Sequence, residues 1–108
     1  MAETAIIYNI TYKVPQEVKE EWFTWMRTKH VPNILATRCF YKAKFLKVKE
    51  DDSNSLDTDI TYAVQYHATN FANYERYIQD HQDKFRADTH TRWGNQILSF
   101  RTILEVVD

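Results

Sequence analysis

The sequence predicts a two-layer α+β fold in the order β-α-β-β-α-β, and three observations carry that expectation. Four stretches place apolar residues at alternate positions and two place them at helical spacing. Hydrophobic residues make up 44% of 108, enough for one core and too little chain for two, so residues 1–108 are read as a single domain.

The first strand runs from Ile6 to Val14, with Ile6, Tyr8, Ile10, Tyr12 and Val14 on one face and Ile7, Asn9, Thr11 and Lys13 on the other. Pro15 suits the opening turn of a helix, Glu17, Glu20 and Glu21 favour its positive end, and Val18, Trp22, Trp25 and Met26 recur at helical spacing. This helix is expected to stop near His30, because Pro32 disfavours helical backbone at Val31 and has no amide to donate. Cys39 to Val48 reads as the second strand, with Tyr41, Ala43 and Phe45 on one face and Lys42 and Lys44 on the other. A polar loop, Glu50 to Thr58, separates it from a third strand carrying Ile60, Tyr62, Val64 and Tyr66, as in an antiparallel hairpin. Asn70 caps a second helix through Phe71, Tyr74, Ile78, His81 and Phe85, Gly94 terminates it, and Ile97 to Val107 forms the last strand. That order is the split βαβ, ferredoxin-like arrangement: a four-stranded antiparallel sheet with two helices on one face.

Composition excludes several functions. Fourteen basic against fifteen acidic side chains leave a net charge of -1, which argues against nucleic acid or an anionic membrane as a partner. Tyr62, Val64 and Tyr66 superficially resemble the stacking strand of an RNA-recognition module, whose signature glycines are missing. A single glycine cannot build a dinucleotide or P-loop cradle. Paired C-x-x-C, H-E-x-x-H and G-x-S-x-G are absent, so no metal and no cofactor is expected. No basic n-region opens the chain, no stretch approaches the ~18 apolar residues of a span, and Cys39 is alone, which together predict a cytoplasmic location.

The candidate ligand-binding residues lie on the helical stripes. His30 follows Met26 by four residues and is either a core histidine at a helix end or a ligand and acid-base group; Trp25 is either core or an aromatic wall. His81 continues the stripe of the second helix, and if both histidines face the sheet they share one cavity. Lys42, Lys44, Lys47 and Lys49 read as a charged edge strand. With the Tyr8 face under the helices, the opposite face is expected to carry Ile7, Asn9, Thr11, Ala63, Gln65, Ile97, Arg101 and Ile103. That mixture suits a homodimer formed by packing sheet on sheet.

Several segments together are familiar: Ile6-Ile7-Tyr8-Asn9, Trp22-Phe23-Thr24-Trp25-Met26 followed by His30-Val31-Pro32, the Phe71 to His81 helix, and Arg92-Trp93-Gly94 leading into Leu98 to Glu105. They resemble a bacterial family, the domain of unknown function 4286, over nearly the whole chain. The resemblance implies a dimeric α/β barrel, a superfamily that includes small antibiotic-biosynthesis monooxygenases and haem-degrading enzymes, and it implies a homodimer. The haem-degrading members use an asparagine on the first strand and a histidine on the second helix, to which Asn9 and His81 are the nearest matches. Their tryptophan near the end of strand three is absent, with Tyr66 or His67 in its neighbourhood, which argues against haem chemistry. The function expected is a homodimeric barrel protein that binds a small apolar or aromatic molecule between sheet and helices. The alternatives are a non-enzymatic oligomerisation or protein-binding module and a small monooxygenase-type enzyme.

Overall fold

A computed structural model describes residues 4–49 and 59–108. The expected polar loop at 50–58 and the first three residues lie outside the described residues. Four strands, β1 (Ile6–Val14), β2 (Lys42–Lys47), β3 (Ile60–Ala68) and β4 (Leu98–Glu105), form one antiparallel sheet in the order β2-β3-β1-β4. The order places the apolar, alternating β1 in the interior and the lysine-bearing β2 at an edge, where its charges meet solvent.

Register decides which side chains share a face. Tyr8 lies opposite Tyr66 and Ile103, Ile10 opposite Val64 and Arg101, and Tyr12 opposite Tyr62 and Ser99. Directly opposed residues point the same way, so all of these belong to the helix side of the sheet. The expectation for the last strand is therefore corrected. Arg101 and Ile103 stand on the helix side, Ile97 precedes the strand, half-buried against the core, and the open face carries Leu98, Phe100, Thr102 and Leu104 instead. A slip of one residue in the expected phase moves every side chain of a strand to the other face.

The first helical arm also departs from expectation. A 3-10 turn at Gln16–Val18 leads into α1 (Lys19–Trp25), a π turn at Met26–His30, and then α2 (Val31–Leu35), so the arm passes through Pro32 rather than stopping at His30. The Val31 amide bonds to the Met26 carbonyl, five residues back. That wide turn restarts the helix, leaving Pro32 within its first two positions, where a missing amide costs nothing. The second arm is broken too: α3 (Phe71–Asp80) and α4 (Gln82–Trp93) meet at His81, whose φ of -131° is not helical. Asn70 caps α3 as its sequence position predicts, its side chain accepting from the Asn73 amide at 2.8 Å.

The core fills the space between these arms and the sheet, with Trp22, Met26, Val14, Val64 and Tyr66 completely buried. Tyr8 is its hub: the rings of Phe40, Tyr66, Tyr74 and Tyr77 stand 5.6 to 6.1 Å from its own. Phe40 takes the inward position ahead of β2, and Tyr41, expected inward, is exposed beside His67. The chain bends before the ladder begins, so strict alternation does not extend back through Tyr41. The helical layer does not reach across β4, whose residues are exposed on both faces of the sheet.

Gly94 closes α4, its amide bonded to the His90 carbonyl at 2.7 Å, with φ 59° and ψ -129°. A side chain there would meet nothing within 4 Å, so its cost is backbone strain alone. Gly94→Ala is expected to lower the unfolding free energy by about 1–3 kcal/mol with an unchanged denaturant slope. An unchanged midpoint would show that this turn carries no strain.

Candidate functional site

Because α4 crosses the sheet short of β4, a cleft of about 550 Å³ opens between them. Its floor is Tyr8, Ile10 and Tyr12 of β1, one wall is Phe85, Arg86 and His90 of α4, and the far rim is Ser99 and Arg101 of β4. The Tyr8 hydroxyl accepts hydrogen bonds from Arg101 Nε at 2.8 Å and Gln82 Nε2 at 3.2 Å. Tyr77 also lines the cleft. Burial, reinforced by the neighbouring Tyr8, raises the pKa of Tyr12 and Tyr77 well above the ordinary phenol range, so both remain neutral hydroxyls.

His30 stands at the back of the cleft and also lines a smaller recess of about 330 Å³, shared with Trp25, Phe85 and Asp88. Its ring stacks on Trp25 at 4.6 Å and 21°, and meets Phe85 edge-on at 5.9 Å. In a regular helix residues five apart are turned about 140° from one another; the π turn between Trp25 and His30 lets the two rings meet. His30 is 5% exposed. Burial pulls its pKa down to about 4, against the opposing pull of Asp88, so near neutrality it is an uncharged imidazole able to accept or donate one hydrogen bond.

Of the four residues singled out from the sequence, the fold brings Trp25 and His30 together. His81 sits at the break between α3 and α4, stacked on Tyr77 at 6.3 Å, and does not line the cleft. The expected cavity shared by both histidines is not formed, because the helix break removes His81 from the stripe that carries Phe85. Asn9 lies on the opposite face of the sheet, 8% exposed, its Nδ2 donating to Thr11 Oγ1 at 3.2 Å. The sheet thus lies between Asn9 and the helices, and the fold does not bring Asn9 and His81 together.

The residues that sequence reasoning missed are Tyr8, Tyr77, His90 and above all Arg101. The signal for Arg101 was present in the pairing of the last strand with β1, but a free choice of phase placed it on the wrong face. On the open face, burial and then Lys42 and Lys44 lower the pKa of His67, whose Nε2 has no hydrogen-bond partner among the described residues. Tyr62, Val64 and Tyr66 face the helices, so they offer no stacking platform on the open side. Among the described residues no three potential metal ligands gather, and no helix is long and apolar enough to cross a membrane.

The family model described as a domain of unknown function, DUF4286, matches residues 5–107. No curated protein matches the sequence. Among solved structures, a dimeric ferredoxin-like protein from an uncultured marine organism superposes with a TM-score of 0.70 at 15% identity, over 98% of each chain. An ethd-like protein from Ralstonia eutropha gives a TM-score of 0.70 at 14% identity, over 98% of this chain and 95% of that one. An ethyl tert-butyl ether d (ethd) family protein from Bacillus halodurans gives 0.68 at 12% identity, over 94% and 99%. At these identities the likeness shows the fold, an α+β ferredoxin-like arrangement.

The buried imidazole makes stability depend on pH. A histidine held at about 4 in the folded state and near 6.5 when unfolded stabilises the fold fully above 6.5. Its contribution falls as pH drops from 6.5 toward 4, by at most about 3 kcal/mol. His67 adds in the same direction. Over that window the wild type should lose stability more steeply than His30→Gln when denaturation is followed by tryptophan fluorescence. Parallel slopes would mean that His30 titrates normally.

Proposed function

We propose, on the premise that the chain belongs to the DUF4286 family, that it is a homodimeric binding domain. Each subunit takes a small apolar or aromatic molecule in the cleft between α4 and the sheet. The observation that carries this reading is the cleft itself. It is of ligand size, walled by rings, and supplied with a few convergent polar groups: His30, two buried phenols and Arg101. A core built only for packing would fill such a space, since interiors are close-packed.

The dimer is supported by the open face of the sheet. Leu98 and Phe100 are 57% and 62% exposed, and they continue through Leu104 into the half-buried Ile7, Ala63 and Leu46. Gln65, Thr102 and the buried Asn9 are interspersed among them. Apolar anchors ringed by polar groups are the make-up of a protein interface, and stable association needs about 800 Å² per partner. The marine relative in which this fold is dimeric points the same way.

Two measurements test the reading. In a screen of small aromatic molecules followed by amide chemical shifts, binders should perturb residues of α4 and β4 around the cleft. Their affinity should fall about tenfold or more in His30→Gln and Arg101→Gln, and stay unchanged in Lys42→Gln. Equal losses in all three would place binding elsewhere. Light scattering should give twice the 13.0 kDa chain mass, with Phe100→Asp shifting it to one; a monomeric wild type at high micromolar concentration would sink the dimer.

A further inference from the structure

We propose that the cleft is built for a planar aromatic monocarboxylate, held through its acid group by Arg101 and through its ring by the aromatic wall of α3 and α4. The inference rests on the binding reading above and narrows it to a chemical class.

Charge comes first. The chain as a whole has 14 basic and 15 acidic side chains, yet the cleft is lined by two arginines, Arg86 and Arg101, and, among the described residues, by no carboxylate. Such a bias in a protein of net charge -1 is local, and a concave site of one sign concentrates ligands of the other. Asp88, the acidic group that acts on His30, lies in the smaller recess behind it.

Arg101 is oriented rather than loose. Its Nε–H is committed to the Tyr8 hydroxyl at 2.8 Å, and Tyr8 is 1% exposed and packed against four other rings. The terminal Nη groups remain for a ligand, and Arg101 makes no ion pair among the described residues. A guanidinium presented in this way matches the two oxygens of a carboxylate. The neutral Tyr12 and Tyr77 hydroxyls add donors without adding negative charge.

The cleft also argues against a doubly charged phosphate. The helix end that borders it is the C-terminus of α4 at Gly94, whose carbonyls present the negative end of the helix dipole. No glycine-rich turn supplies converging amides. The wall is built of flat rings: Tyr77 and Phe85 lie nearly parallel at 6.1 Å and 16°, with His30 edge-on to Phe85. A volume of about 550 Å³ accommodates a fused bicyclic acid.

The test uses 1-naphthoate and its neutral isostere 1-naphthamide, titrated separately into the full chain and followed by amide chemical shifts, with inorganic phosphate as a third probe. The expected result is that naphthoate binds in the cleft at least tenfold more tightly than the amide, and phosphate alone does not bind there. Arg101→Gln, on an exposed strand, should abolish the preference by weakening naphthoate far more than the amide, and Arg101→Lys should restore part of it. If naphthoate and naphthamide bind the cleft equally, or the preference survives in Arg101→Gln, the carboxylate assignment is overturned and the binding reading stands. Phosphate binding as tightly as naphthoate would also overturn it. If neither aromatic probe perturbs the cleft at millimolar concentration, both the assignment and the reading beneath it fall.

Discussion

The hydroxyl of Tyr8, accepting hydrogen bonds from Arg101 on β4 and Gln82 on α4, joins the sheet to its helical cover at the point where the two separate. The ring beneath that hydroxyl is buried among Phe40, Tyr66, Tyr74 and Tyr77, so the oxygen is held by the core while facing the cleft. Without it, Arg101 would be an exposed side chain on an uncovered strand, with all the rotamer freedom that implies. One phenol thus serves both the packing of the interior and the geometry of the site.

Two irregularities in the helices shape the rest. The π turn at Met26–His30 turns the imidazole of His30 onto Trp25 and allows Pro32 into the following helix. π turns are frequent at functional sites, because they re-aim one side chain at a small cost in regular hydrogen bonding. The break at His81 redirects α4, so that Phe85, Arg86 and His90 line the cleft while His81 itself stays outside it. Both devices occur where a regular helix would have set the candidate histidines on one continuous stripe.

The uncovered β4 links the cleft to the opposite side of the molecule. Its helix-side residues Ser99 and Arg101 border the cleft, and its other side, through Leu98, Phe100 and Leu104, extends the apolar open face. A strand exposed on both faces is unusual for a sheet interior and ordinary for an edge that awaits a neighbour. Binding in the cleft and association through the open face would therefore meet on the same eight residues.

Much of the fold was legible in the sequence because period-two and helical spacing are local properties: β1, β3, the Asn70 cap and the Gly94 stop follow from residues close to one another in the chain. Trp25 and His30 were legible as inward-facing for the same reason. The cleft was not. The phase of β4 depends on hydrogen bonds to β1, some ninety residues away, and that pairing sends Arg101 to Tyr8 and puts Phe100 on the open face. The loss of His81 and the separation of Asn9 likewise follow from a helix break and an intervening sheet. Spacing along the chain determined which residues could face inward; only the pairing of strands and the packing of helices across them decided which inward residues meet, since a site is made of distances that sequence separation does not contain.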